Sequence, residues 1–148
     1  MKVFISAPFE RWREAQSAQQ GLILEGFECT STWIEKAQCL GPDDFSKFTR
    51  AELHGHCKEN RAEIAEADIC LAMTYKGEGG EMFAEIEAAR ERGAYVVWYG
   101  ERKTLSAWHP HVMIAGTFVQ AIAAILNHRD QCEAMIKTGQ WEPTYTKP

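Results

Sequence analysis

Short continuous apolar runs alternate along this chain with longer stretches in which apolar residues recur every three or four positions. Residues 2–7 (KVFISA) form the first such run, and Pro8, which has no N–H to give a ladder, closes it, as expected of a buried strand ending in a turn. From about residue 11 to 25 the composition favours a helix stopped by Gly26. Residues 27–34 (FECTSTWI), rich in β-branched and aromatic side chains, predict a second strand. Residues 35–48 contain Gly41-Pro42-Asp43-Asp44, a turn cluster, and predict an extended loop over one face of the sheet. Between residues 49 and 67, Leu53, Cys57, Asn60 and Ile64 follow the i, i+4, i+7, i+11 spacing of one helical face, which turns the polar Asn60 inward.

The run at residues 68–75 (DICLAMTY) is continuous enough for a central strand covered on both faces. It gives way to Lys76-Gly77-Glu78-Gly79-Gly80, then to a helix over 81–92 with the stripe Met82, Ile86, Ala89 and a stop at Gly93. Residues 94–100 (AYVVWYG) predict a fourth strand and 112–114 a short fifth, and Thr117 is placed to cap a last helix from 118 to about 136. Residues 139–148 are a polar, proline-containing tail. The alternation predicts a single α/β domain over residues 1–148: a three-layer, flavodoxin-like or Rossmann-like parallel sheet of about five strands, with helices on both faces. Such sheets bind ligands outside the strand carboxyl ends, so the loops of interest are 8–11, 35–48, 76–80 and 101–111.

Composition narrows the ligand. With 148 residues, 45% apolar and 25% charged, the chain can bury a full core, and its net charge of −5 offers no basic surface for a nucleic-acid polymer, although a single nucleoside or nucleotide fits. No apolar run is long enough to span a bilayer and charge appears early, which predicts a cytoplasmic protein with no membrane association. Cys29, Cys39, Cys57, Cys70 and Cys132 are odd in number and lack a CxxC pair, and they read as reduced, mostly buried thiols.

Several residues suggest chemistry. Gly77, Gly79 and Gly80 at a strand-to-helix junction let a ligand approach the backbone and the exposed helix N–H groups, or serve as a flexible βα loop. Glu85 borders the buried stripe near the first turns of its helix, where it faces the strand-end crevice as an anion or joins the charged series Glu81, Glu85, Glu87, Glu91. Asn60, if buried, needs partners, either backbone groups or a ligand. His54 and His56, two apart on a helix, face away from each other and cannot share an ion, so no metal is expected. His109, in a loop at the expected ligand edge, is a candidate polar substrate contact, and Trp33 and Trp108 either stack on a base or pack in the core.

Taken together, Phe4-Ile5-Ser6-Ala7-Pro8-Phe9, Ala67-Asp68 before a strand, a glycine-rich turn leading to Glu85-Ile86-Glu87-Ala88-Ala89, and a closing strand followed by Trp108-His109-Pro110 resemble the nucleoside 2-deoxyribosyltransferase-like superfamily. That group includes the 2′-deoxynucleoside 5′-phosphate N-hydrolases. The resemblance spans most of the chain. It implies a small-molecule nucleoside or nucleotide bound without a cofactor at Phe4, Ala7, Pro8, Phe9 and Asn60, and attacked by Glu85 at the anomeric carbon. The chain departs from that pattern at four positions: Phe4 stands for a tyrosine, Asn60 for an aspartate, Glu87 for a glycine, and Gly79 nearest the place of a serine or aspartate in the glycine-rich loop. Two other functions remain open: a non-catalytic nucleotide-binding or sensing protein, and a phosphoribohydrolase of the cytokinin-activating type, whose PGGxGTxxE pattern the chain does not meet. Trp141 and Tyr145 in the polar tail predict packing on a second copy, a homo-oligomer.

Overall fold

The structure, a computed structural model, describes residues 1–40, 48–74, 80–101, 107 and 109–139. Its strands are β1 (Lys2–Ser6), β2 (Glu28–Cys29), β3 (Ile69–Thr74), β4 (Tyr95–Gly100) and β5 (Val112–Ala115). The helices are α1 (Trp12–Leu24), α2 (Trp33–Leu40), α3 (Arg50–Glu66), α4 (Gly80–Glu91) and α5 (Phe118–Thr138), with a 3-10 turn at Phe9–Arg11. All pairings are parallel and the spatial order is β2-β1-β3-β4-β5. This is the flavodoxin-like order, in which the chain reverses direction across the sheet between β1 and β3 and leaves a crevice there. Among the described residues no helix is long and apolar enough to cross a membrane.

Residue pairing across the ladders decides which side chains share a face. Phe4 pairs with Cys70 and Ser6 with Ala72, which in turn pairs with Trp98. With a side-chain period of two, Phe4, Ser6, Cys70, Ala72, Thr74 and Trp98 all point to one face. That face is covered by α3 and α4, and Phe83 of α4 stacks on the buried Trp98 ring at 5.8 Å. On the other face Tyr95 and Tyr99 meet His128 and Phe118 of α5. Every residue of β3 is buried, as its unbroken apolar run predicted.

Both long helices start on designed-looking ends: Thr49 and Thr117 each form a capping box, with Glu52 and Gln120 respectively. Each box satisfies two N–H groups that the first turn leaves without a helical partner.

The second strand differs from the expectation. Instead of running over 27–34, β2 stops at Cys29, and residues expected as strand and loop form helix α2. The reason lies in what covers the end of β1. Ile5 N–H donates to Ser31 Oγ at 2.6 Å, and Ile5 carbonyl accepts from Trp33 Nε1 at 2.8 Å. Two side chains thus replace the ladder that a longer β2 would have supplied, which frees the chain to turn. Trp33, Ile34 and Ala37 then bury one helical face, while Glu63 of α3 accepts from the Thr32 N–H and hydroxyl at the start of α2. The remainder of the expected loop, residues 41–47, lies outside the described residues.

The cysteine expectation is also corrected. Cys70 and Cys132 are buried and Cys29 is half-buried, but Cys39 and Cys57 are exposed. On α3 the expected stripe is fully buried only at Ile64, with Leu53 and Asn60 half-covered and Cys57 exposed.

Candidate active site

The crevice at the carboxyl ends of β1 and β3 is where the notable polar contacts gather. Ser6 is the last residue of β1 and is wholly buried. Glu85 sits in the second turn of α4, which follows β3 directly, and is half-buried. Asn60 comes from the middle of α3, the helix that packs beside α4. Ser6 hydroxyl donates to Glu85 Oε2 at 2.7 Å, and Asn60 Nδ2 donates to Glu85 Oε1 at 3.1 Å. Each carboxylate oxygen therefore has a donor from a different element, which fixes the plane of the group and stabilises its charge. Met82 carbonyl lies 3.5 Å from the same hydroxyl, but the single proton goes to the shorter, charged acceptor.

Beneath this group lies Cys70. Burial and then the charge of Glu85 push its thiol pKa up, so it stays protonated under the carboxylate. A neutral, apolar floor of this kind lowers the local dielectric and strengthens the two hydrogen bonds above it.

The other predicted residues separate into three groups. Ala7 and Pro8 follow Ser6 at the mouth of the crevice and are half-buried. Pro8 carbonyl accepts from Arg11 N–H at 2.9 Å and starts the 3-10 turn that carries Phe9. Phe9 packs against Trp33 with ring centroids 6.4 Å apart, so Trp33 is a core residue whose indole N–H is already used inside the fold. Gly80 opens α4, while Gly77, Gly79 and Trp108 lie outside the described residues.

Phe4 and His109 require correction. Phe4 has no exposed surface and packs in the core, one residue pair below Ser6, so it has nothing to present to a ligand. His109 was expected at the ligand edge because its loop leaves the carboxyl end of β4. His109 itself, however, stands three residues before β5 begins. Val112 pairs with Val96 near the amino end of β4, and Val112 N–H donates to His109 carbonyl at 2.9 Å. Its ring meets Arg90, in the last turn of α4, at 3.3 Å. Arg90 is five residues, or about 7.5 Å of helix, beyond Glu85 and away from the crevice. The same guanidinium holds Glu87 Oε2 at 2.7 and 3.0 Å, so the glutamate that replaces a glycine of the resembled pattern is engaged by its own helix.

His54 is exposed, and His56 turns toward Glu59 and the edge of Phe48. Among the described residues no three His, Cys, Asp or Glu side chains converge as a metal site.

Of the three side chains that meet here, the sequence singled out Glu85 and Asn60 but not Ser6. The available signal was a lone hydroxyl at the end of an apolar strand, on the same face as Phe4, and nothing local says what it meets 79 residues later.

No protein-family model matches the chain, and no curated sequence does. Solved structures do resemble it. A 2-deoxyribosyltransferase from the psychrotolerant bacterium Bacillus psychrosaccharolyticus is 20% identical, with a TM-score of 0.57 over 71% of this chain and 78% of that one. A CMP N-glycosidase from Clostridium botulinum is 15% identical, with a TM-score of 0.53 over 84% of this chain and 98% of that one. This chain therefore has the fold on which that 2-deoxyribosyltransferase and that CMP N-glycosidase are built.

Proposed function

We propose that this chain is an N-glycosidic-bond enzyme acting on a (deoxy)nucleoside or its 5′-monophosphate, with Glu85 as the nucleophile. The observation that carries the reading is the Glu85 carboxylate at the β1/β3 switch point, held by one donor on each oxygen. A carboxylate aimed by two fixed donors suits attack on carbon better than proton donation. The fold likeness to a 2-deoxyribosyltransferase and a CMP N-glycosidase supports the substrate class.

In this reading a Glu85 oxygen bonds to the anomeric carbon as the bond from that carbon to the base nitrogen breaks. The electron pair leaves with the base, which takes up a proton, and the sugar remains as an ester of Glu85. Water, or the nitrogen of a second base, then displaces the carboxylate and regenerates it, as in two-step glycoside chemistry. Asn60 donates to the nucleophile but has no carboxyl proton to give to the leaving base. That amide also favours a second reading, a site that binds a nucleotide and does not turn it over.

The test is to incubate the protein with deoxycytidine, deoxycytidine 5′-monophosphate, cytidine and CMP, with and without adenine as acceptor, and to follow free cytosine by chromatography. Release that needs adenine marks a transferase, release without it a hydrolase, and binding without release the non-catalytic reading. In an active preparation Glu85→Gln keeps shape but loses the charge, and the rate should fall on the order of a thousandfold or more. A rate near that of the wild type would exclude Glu85 as the nucleophile.

A further inference from the structure

We infer that Ser6 is a positioning residue for the reaction proposed above: its buried hydroxyl sets the orientation of the Glu85 carboxylate, and it does so from the strand rather than from the crevice wall. The inference rests on the reading of Glu85 as the nucleophile. Three observations carry it.

The first is geometry. At 2.7 Å the contact from Ser6 Oγ to Glu85 Oε2 is shorter than the 3.1 Å contact from Asn60, and as a donor to a carboxylate it belongs to the stronger class of bond. The second is burial. Ser6 has no exposed surface, so water cannot take over its place if the hydroxyl is removed, whereas Asn60 is half-exposed and its bond is open to replacement by solvent.

The third is rigidity. Ser6 closes β1, which is held on one side by the ladder to β3 and on the other by the Ser31 hydroxyl and Trp33 indole on Ile5. Ser31 both accepts from Ile5 N–H and donates to Ile5 carbonyl, at 2.6 and 3.3 Å. The strand is therefore held on both edges at the residue before Ser6, and the hydroxyl is presented from a backbone fixed by these bonds. A nucleophile on a helix gains its direction from such a fixed donor, because near-attack geometry tolerates little angular error.

A residue that acts through Glu85 must lose its effect when Glu85 loses its charge, and a residue that only fills space must not. Ser6→Ala keeps nearly the same volume and the strand backbone, so folding should survive. With deoxycytidine 5′-monophosphate and CMP as probes, Ser6→Ala should lower kcat on the order of 10- to 100-fold, the range of a hydrogen bond to a charged group, and change KM by no more than about threefold. In the Glu85→Gln background the same substitution should cost no further activity. Ser6→Thr, which keeps the hydroxyl on a strand-compatible side chain, should recover most of the lost kcat.

Thermal unfolding of the single and double variants provides a readout independent of turnover. The two substitutions together should lower Tm by clearly less than the sum of their separate effects, because one removes and the other weakens the same bond. An unchanged kcat in Ser6→Ala, or equal losses in the wild-type and Glu85→Gln backgrounds, would overturn the assignment while leaving Glu85 as nucleophile intact. If the wild-type protein releases no base, the enzymatic reading falls with the positioning role, and additive Tm losses would further show that Ser6 does not act through Glu85.

Discussion

Replacing Gly100 by alanine tests how the carboxyl ends of β3 and β4 are joined, and the structure gives the size of the effect. Gly100 pairs with Thr74 at the last rung of the ladder and adopts φ of 115°, a region closed to side chains. A Cβ built there would stand 1.8 Å from Thr74 carbonyl oxygen, 2.8 Å from its carbonyl carbon and 2.9 Å from its Oγ1. The first two atoms are backbone, so no rotamer change relieves them. Relief would require β3 and β4 to part, and that would disturb Thr74 Oγ1, which accepts from the buried Trp98 indole at 2.8 Å and donates to Glu101 carbonyl at 2.7 Å.

Overpacking of a tight site costs about 1–3 kcal/mol, and a non-glycine residue held at such a φ about 1–3 kcal/mol more. The sum centres on about 4 kcal/mol, which for a chain of this length lowers Tm on the order of 10 °C. Thermal melts followed by circular dichroism, checked by urea titration at constant slope, measure it directly. A loss of under about 3 °C would mean that the strand ends yield easily, and that the rung between Thr74 and Gly100 is not the constraint described here.

Three further outcomes follow from the electrostatics and exposure of particular side chains. His128 stacks on Tyr95 at 4.0 Å and burial lowers its pKa below the ordinary 6.5, so the unfolded chain takes up a proton first and stability falls as pH drops below that value. His128→Phe keeps the stack and should flatten the stability profile between pH 5 and 7, and an unchanged slope would assign that dependence to other groups. Among the cysteines, Cys39 and Cys57 are exposed, while burial raises the pKa of Cys29 to about 11 and also raises those of Cys70 and Cys132. Brief iodoacetamide treatment of the native protein should therefore give two adducts by mass spectrometry, and early labelling of Cys29 would contradict its placement. Asn60→Leu removes the amide that Glu85 Oε1 accepts and should lower both turnover and stability, the latter by about 1–2 kcal/mol, whereas higher stability with unaltered nucleotide affinity would make Asn60 a tolerated core polar group.

What could be read from the chain by itself was whatever depends on neighbours in sequence. The period of apolar residues shows a strand or a helix because it reflects how that element's own backbone repeats, so β1, β3, β4, β5, α1, α3, α4 and α5 were legible. Alternation of strand and helix then implied parallel crossovers and a site at the strand carboxyl ends. Glu85 and Asn60 emerged for the same reason, since each stands beside or on an apolar stripe. Contacts between distant segments left no such trace. FECTSTWI has the side chains of a strand, yet Ser31 and Trp33 spend their hydrogen bonds on Ile5 and end the ladder at Cys29. His109 follows a strand that ends at the crevice, but the pairing of β5 with β4 carries it to the opposite edge. Phe4 stands where the resembled pattern has a tyrosine, and only the closing of α4 over β1 brings the Ser6 hydroxyl to Glu85. In each case the deciding partner lay in another element, at a distance along the chain where local periodicity carries no information.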